Sequence, residues 1–468
     1  VQLVDHGIAE TLADAVGQAL TAGLDVEMGG HLTDGSGAPV FGEDAVSDER
    51  IDDAVRRVLR LKFARGLFRD PFVDASAERR VPDADTRAAA RRAAARCAVL
   101  LKNDDQILPI SPDVASVLLV GPYAESTDHL GAWTQSFSAP ARTLAACLSE
   151  ALPGRVSVLP GADFFDPDAS RQTVAAAAAR DHDLVIVAVG EPSSLSGEAS
   201  SRSDIRLTGD QEALIAAIAD TGVPFAVVLV NGRPLVMSDW IDRVGSVLQT
   251  GHLGTEGPEA IVDLLLGRVN AGGKLPVSIP RSSGQIPVYY NHENTGRPAS
   301  VRGSLVHEEI DVAVVGPGNT DDYFTSKYLD LDLGPQFSFG HGLSYTTFEI
   351  SPPSAPATVS MAELASSGVP VRVDVTNTGD VEGDEVVQLY LRDLVASVAQ
   401  PVRRLRAFRR VTLTPGETAA VEFVLGSDDL GFWVDYPTRG MVVEPGDFDI
   451  FVGGTLDSAV STRLTVSK

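Results

Sequence analysis

The period of the hydrophobic pattern changes once along this chain, and that change restricts the fold to two kinds of layer. Between about Thr86 and Ser283, short runs that are apolar at every position alternate with longer amphipathic stretches. Val117–Val120, Leu184–Val189, Phe225–Val230 and Val247–Leu248 read as strands. A run with no polar position suits a strand covered on both faces, so β/α alternation predicts a largely parallel sheet with helices on either side. Ahead of Leu214, Ile215 and Ile218, Thr208-Gly209-Asp210-Gln211 has the form of a helix capping box. From about Thr346 the period falls to two. Val371–Val375, Val386–Leu391, Val411–Leu413, Ala420–Val424 and Phe448–Val452 alternate, with turn pairs such as Pro415-Gly416 and Pro445-Gly446 between them. That pattern predicts an antiparallel β-sandwich.

The two ends of the β/α region are less regular. Val1-Gln2-Leu3-Val4-Asp5-His6-Gly7 reads as the end of a buried strand delivering Asp5 into a turn of small residues. A helix from about Ala9 to Ala22 and a short strand over Gly23–Met28 should follow. Ser47 then caps a helix with Ile51, Val55, Val58 and Leu59 on its apolar side, ending near Gly66. Two strands and two helices neither close a barrel nor cover a sheet, so 1–68 reads as a piece of a β/α unit. A Pro-, Asp- and Arg-rich linker occupies 69–85, and 86–283 forms the α/β domain. Residues 284–345 are an irregular connection, the kind of long loop that is functional or packs across domains. The β-sandwich takes 346–468.

Composition excludes several functions. The net charge of −26 argues against nucleic acid or an anionic membrane as partner, since both need clustered Lys and Arg. No run of about 18 apolar residues is present to span a bilayer. The cysteines, Cys97 and Cys147, have no metal-site spacing, and Cys97, in the Ala-rich stretch Thr86–Leu101, reads as a buried free thiol. No metal or organic cofactor is implied. No leader is visible, which leaves the compartment open between periplasm, secretion and cytoplasm.

Two places carry candidate chemistry. Asp5 sits where active sites of parallel α/β folds collect, at a strand's carboxyl end, though a turn or helix-cap Asp has the same look. The second is the loop after Leu184–Val189, a run of small residues from Gly190 to Asp204 that holds Glu191, Glu198 and Arg202. Two carboxyl groups from separate elements are what glycosidic bond cleavage requires. One protonates the leaving oxygen, and the other attacks the anomeric carbon or activates water. Glu198 as a solvated loop charge is the plain alternative.

Ordered motifs along almost the whole chain resolve the choice. They include Val4-Asp5-His6-Gly7, Gly23-Leu24-Asp25, Leu100-Leu101-Lys102-Asn103, Gly131-Ala132-Trp133, Gly197-Glu198-Ala199-Ser200-Ser201-Arg202 and Val230-Asn231-Gly232-Arg233-Pro234-Leu235. Gly254-Thr255-Glu256-Gly257, Gly273-Lys274-Leu275-Pro276, Gly284-Gln285-Ile286-Pro287, Asn294–Pro298, Phe339–Tyr345 and Thr376-Asn377-Thr378-Gly379 continue the series. With them the chain resembles the C-terminal two-thirds of family 3 of the glycoside hydrolases, in its bacterial periplasmic β-glucosidase type. The resemblance implies the C-terminal part of a (β/α)8-type barrel, an α/β sandwich domain and a fibronectin III-like domain, with the site between barrel and sandwich domain. It implies a retaining, exo-acting β-glycosidase, foremost a β-D-glucosidase, on a β-glycoside or oligosaccharide substrate. β-Xylosidase and α-L-arabinofuranosidase specificities occur on the same architecture, and a non-catalytic carbohydrate-binding or structural subunit is the reading from another class.

Residue by residue, the resemblance makes Asp5 the nucleophile, with Val4 standing where the family motif has Ser or Thr, and Glu198 the acid/base. His6 and Trp133 become candidate substrate contacts. Ser238-Asp239-Trp240 copies the nucleophile motif literally, but its place in the α/β domain makes Asp239 a structural residue. The family's sugar-binding barrel residues lie upstream of the nucleophile. The expectation is therefore either a longer native chain or a partner chain supplying the upstream half of the barrel, and an oligomer is compatible. The stretch Ala299–Asp321 reads as an insertion bordering the cleft or covering a subunit interface.

Overall fold

Strands that are apolar throughout need cover on both faces, and the α/β part of the chain provides it. The computed structural model describes residues 2–27, 45–78, 81–104, 106–134, 141–296, 326–434 and 440–468. The chain divides into two units, Val1–Arg80 and Val81–Lys468. In the second, β1 (Val99–Asn103), β2 (Val117–Val120), β3 (Val156–Leu159), β4 (Leu184–Gly190), β5 (Phe225–Val230) and β6 (Ser246–Gln249) form one sheet. Its order is β1-β6-β5-β4-β2-β3. All pairs are parallel except the edge pair β1–β6.

Every residue of β2, β4 and β5 is buried. Alternate residues serve opposite faces. Leu118, Val120, Val185, Val187 and Val227 pack with Leu214, Ile215 and Ile218 of the helix Gln211–Ala219. Leu119, Ile186, Ala188 and Val228 pack with Leu148 of the helix Leu144–Ala151 and with Ile261 and Leu265 of the helix Gly257–Leu265. Full burial of a Val, Leu or Ile contributes roughly 1.5–3 kcal/mol, so a polar substitution anywhere along these strands is costly.

The helix Gly257–Leu265 is buried along its whole length although it carries Glu259 and Asp263. Arginines offset that charge. Arg91 Nε and one terminal nitrogen donate to the two oxygens of Asp263 at 2.5 and 2.6 Å, and Arg87 Nε donates to Glu256 at 2.7 Å. Both arginines lie on the helix Ala84–Cys97, where Ala94 and Ala95 meet Ala260 and let the helices approach. That helix buries only Ala94 and Ala95, so Cys97 faces outward and is exposed, contrary to the sequence reading. The buried free thiol is Cys147.

The β-sandwich follows. One sheet runs β11 (Arg404–Leu413), β10 (Gly383–Asp393), β15 (Gly446–Gly453), β16 (Val460–Ser467) and β8 (Thr358–Ser360); the other runs β12 (Thr418–Leu425), β9 (Val369–Asn377) and β7 (Phe348–Ile350). A short pair, β13 (Phe432–Val434) with β14 (Gly440–Val442), lies apart. Val369, Val371, Val373 and Val375 of β9 point inward, while Pro370, Arg372 and Asp374 stay exposed. Their partners across the core include Leu389, Leu391, Phe448, Ile450 and Leu464.

The first unit corrects two expectations. Gln2–Asp5 is a single helical turn rather than the end of a strand, with Asp5 exposed. His6 N–H donates to the Gln2 carbonyl at 2.9 Å and Ile8 N–H to that of Leu3 at 2.9 Å, so the segment satisfies its backbone locally. Residues 24–27 form no strand either, and the described residues of this unit contain none. A strand needs a neighbour for its peptide groups, and an apolar run alone does not supply one. The helices Leu12–Thr21 and Asp48–Ala64 agree with expectation, the second capped by Ser47. Val1, Met28, the end of the Asn294–Pro298 motif and the expected insertion at 299–321 lie outside the described residues.

Thr376–Gly379 finds its reason here. Asn377 is fully buried, and its amide nitrogen donates to the Val381 and Leu413 carbonyls at 2.8 and 2.9 Å. Its amide oxygen accepts from Thr346 Oγ1 at 2.7 Å and from Gly379 N–H at 3.1 Å. Asn377→Ala strands these partners without water and should cost about 2–4 kcal/mol. Denaturant unfolding of the variant against wild type measures this, and an unchanged midpoint would refute it.

Candidate active site

After β2 the chain forms β3 on one side, then crosses to form β4 on the other. Such a reversal opens a crevice at the carboxyl ends of the two strands, where ligands of open α/β sheets bind. Tyr123, just after β2, donates its hydroxyl to the Glu191 carbonyl at 2.8 Å. Gln211 fixes the last residue of β4 from the other side: its amide oxygen accepts from Gly190 N–H at 2.7 Å and its amide nitrogen donates to the Gly190 carbonyl at 2.9 Å. The capping box expected at Thr208–Gln211 is thus absent. The helix begins at Gln211 itself, which places that side chain against the strand end instead of its own first turn. Asp210, in turn, accepts from Asp163 N–H and Asp168 N–H at 2.8 and 2.9 Å.

The loop from Gly190 to Asp204 carries three carboxylates, and their surroundings differ. Glu191 is 1% exposed and lies between two guanidinium groups, with Arg202 at 3.1 Å and Arg233 at 2.8 Å. Asp204 is tied to Arg206 at 2.7 Å, and those hydrogen bonds hold its carboxyl down to about 2. Glu198 is exposed, and its carboxyl group has no hydrogen-bond or ion-pair partner among the described residues. It is the loop's one uncommitted acid.

Glu198 sits at a tight tip. Gly197 has φ +110°, and a Cβ there would come within 3.4 Å of the Trp133 indole nitrogen, so the indole lies against this glycine. Ala199 has φ +59°, a left-handed conformation that costs a residue with a side chain about 1 kcal/mol. Arg233 spans the tip. One of its terminal nitrogens donates to the Leu195 carbonyl and, at 2.7 Å, to the Ser200 carbonyl. Asn231 shapes the turn that presents Arg233, donating to the Arg233 carbonyl at 2.6 Å. Gly232 is required by proximity, because a Cβ would fall 2.0 Å from Ser196 Oγ. Asp128 adds an anchor at the loop's start, accepting from Ser193 N–H at 2.7 Å.

Of the residues singled out in sequence, the structure brings Trp133 and Glu198 together on this crevice. Asp5 and His6 belong to the first unit, where both are exposed. Asp239 is exposed in the turn before a short 3₁₀ segment, 3.8 Å from Arg206. Arg233, Glu191, Asp128 and Tyr123 carry roles the sequence reading did not assign. Glu191 was visible as a loop carboxylate and Arg233 in the Asn231-Gly232-Arg233 motif, but contacts between separate loops leave no periodicity that would pair them. Among the described residues, no group of His, Cys, Asp and Glu is arranged to hold a metal, and no helix is long and apolar enough to cross a membrane.

Comparison with known proteins places this architecture. Residues 98–345 match the model of the glycosyl hydrolase family 3 C-terminal domain, and 385–455 match that of the fibronectin type III-like domain. The chain is similar to a periplasmic β-glucosidase of Salmonella typhimurium, 37% identical over 98% of this chain and 60% of that protein. It is also similar to a β-xylosidase of Formosa agariphila, 33% identical over 98% of this chain and 62% of that protein. Among solved structures, the β-glucosidase from Listeria innocua in complex with isofagomine superposes with a TM-score of 0.88 at 32% identity, covering 100% of this chain and 62% of that one. The chain therefore spans about 60% of the length of the relatives it matches.

The crevice also sets an acid limit on stability. Burial, reinforced by neighbouring His252, pushes the His129 imidazole down to about 4 from its ordinary 6.5. Burial lowers His252 as well. Native His129 stays neutral while the unfolded chain takes up a proton below 6.5, so stability present above that pH is lost as pH falls towards about 4. Each such proton contributes a slope of up to roughly 1.4 kcal/mol per pH unit. His129→Phe keeps a ring against Tyr123, which lies 5.4 Å away, and removes the titration. Unfolding free energies across that window should show a shallower slope for the variant; equal slopes would refute the assignment.

Proposed function

This chain belongs to glycosyl hydrolase family 3, and on that premise we propose that its protein is a retaining, exo-acting β-glycosidase whose first substrates are β-D-glucosides. The observation that carries the reading is Glu198: an exposed, uncommitted carboxyl group on a braced loop at the switch-point crevice. The similarity to proteins named β-glucosidase supports the sugar. A neutral glycoside also suits a chain of net charge −26 better than any polyanion does.

The reaction runs in two displacements. The Asp5 carboxylate attacks the anomeric carbon as the glycosidic C–O bond breaks, and the Glu198 carboxyl gives its proton to the departing oxygen. The sugar is then an ester of Asp5. Water attacks the same carbon, Glu198 takes the water's proton, and the Asp5 carboxylate leaves with the sugar's configuration retained. His6 adjoins the nucleophile and is proposed to line the sugar. Trp133, 76% exposed beside Gly197, offers an indole face on which a sugar ring can stack. The similarity to a β-xylosidase supports a second specificity, which a panel of aryl β-glucosides, β-xylosides and α-L-arabinofuranosides separates.

Two experiments test these roles in the intact protein. A fluoro-substituted glycoside with a good leaving group should trap the ester, and peptide mapping should find the label on Asp5; a label on Asp239 would overturn the nucleophile assignment. Glu198→Ala should slow alkyl or oligosaccharide substrates about 100-fold or more while sparing dinitrophenyl glycosides in the glycosylation step, because only the former need a proton. Added azide should then yield a glycosyl azide of retained configuration. Equal losses on both substrate types would remove Glu198 from the acid/base role.

A further inference from the structure

We propose that Arg233, anchored by Glu191, is the positioning residue that sets the reach of the Glu198 carboxyl group; this rests on the acid/base role proposed for Glu198. The loop carries no regular structure of its own beyond the turn Ser193–Leu195, and its tip is built from Ser, Gly and Ala. Such a segment has few side chains with which to hold a shape. Arg233 supplies the shape from outside. Its Nε donates to Glu191 at 3.0 Å, while a terminal nitrogen binds the carbonyls of Leu195, before the tip, and of Ser200, after it. A planar guanidinium presents its donors in a fixed fork, so these acceptors determine the width of the loop's neck. Only Ser196, Gly197, Glu198 and Ala199 lie between the two gripped carbonyls.

Glu191 holds the fork in turn. Its carboxylate is 1% exposed, and Arg202 engages it at 3.1 Å while donating to the Arg206 carbonyl at 2.9 Å. The return arm of the loop is thereby tied to the same buried anion. Tyr123 grips the Glu191 carbonyl, and Gly232 lets the Arg233 turn lie directly against Ser196. The left-handed Ala199 next to Glu198 fits a tip whose geometry is imposed by its surroundings. Acid catalysis depends steeply on such placement, since an error near 1 Å costs on the order of 100-fold. Arg233 and Glu191 thus act on catalysis through Glu198, without touching the substrate.

The test uses the intact protein and a series of β-glucosides graded by leaving group. Arg233→Lys keeps a cation beside Glu191 but cannot bind both neck carbonyls, and Arg233→Met removes the grip entirely. Both should lower kcat/KM on alkyl or oligosaccharide substrates by about 10- to 100-fold while leaving dinitrophenyl glucoside within about 3-fold. On the poor leaving groups, Arg233→Met combined with Glu198→Ala should be no slower than Glu198→Ala alone, because the two residues act through one proton transfer. If loss of the cation beside buried Glu191 unfolds Arg233→Met, the Lys variant alone decides the question. A loss equal across all leaving groups, in step with a lowered folded fraction, overturns the proposal and makes the ion pair purely structural. An additive double variant overturns it as well. A Glu198→Ala variant without leaving-group dependence overturns the acid/base reading and this inference together. A leaving-group-dependent Glu198→Ala beside an indifferent Arg233→Lys overturns this inference alone.

Discussion

A sheet buried on both faces can present chemistry only at the ends of its strands, and the α/β part of this protein is organised by that constraint. Every residue of β2, β4 and β5 is buried. Several polar side chains of the candidate site come from segments that directly follow a strand: Tyr123 after β2, Glu191 and Glu198 after β4, Asn231 and Arg233 after β5, His252 after β6. Parallel pairing brings these segments to one rim. The backbone groups there lose their ladder partners and must find others. Gln211 does this for Gly190, and the loop's own carbonyls are taken up by Arg233.

Burial also sorts the acids. A carboxylate taken out of water costs several kcal/mol unless charge and hydrogen bonds replace its hydration. Glu191 meets that cost with two guanidinium groups, and Asp204 stays at the surface with Arg206. The Glu198 carboxyl group has no such commitment among the described residues. The same arginine that neutralises Glu191 holds the neck of the loop carrying Glu198. One buried charge thus connects stability, loop shape and proposed chemistry.

The β-sandwich is joined to the α/β part by polar contacts of similar economy. Asn270 accepts from Ser344 Oγ at 2.9 Å and from Tyr345 N–H at 2.8 Å, and donates to the Glu382 carbonyl at 3.0 Å. Lys274 pairs with Glu385 at 2.9 Å across the same junction, and both side chains are largely buried. Gln388 reaches the Gly340 carbonyl at 3.1 Å, while Tyr290 stacks on Phe339 at 4.1 Å. The motifs Gly273-Lys274-Leu275-Pro276 and Phe339–Tyr345, visible in sequence as matches without a role, are the parts of this seam.

How much was legible depended on how many uses a segment had. Val117–Val120 and Phe225–Val230 are strands at the boundaries read from sequence, because an all-apolar run between turns has one stable use, a strand covered on both sides. The alternation of Val369–Asn377 identified the sandwich for the same reason, since a period of two suits only a surface with one wet face. Gln2–Asp5 was ambiguous, because four residues satisfy their peptide groups either in a helical turn or beside another strand, and their composition does not choose. Gln211 and Cys97 went astray through a shift in where a helix begins and which of its faces is buried. Sequence alone therefore determined the layers, the family and the loop proposed to carry the acid/base. Composition and periodicity did not rank Glu191, Glu198 and Asp204, which are alike as residues; only the resemblance singled out Glu198. The tertiary structure shows how their surroundings differ: the β4–β5 register sets Gly190 opposite Val230, and that pairing brings Arg233 to Glu191, while the Glu198 carboxyl group has no partner among the described residues. The physical reason is that an acid's availability is set by the charges packed against it, and those arrive from distant parts of the chain only when the sheet forms.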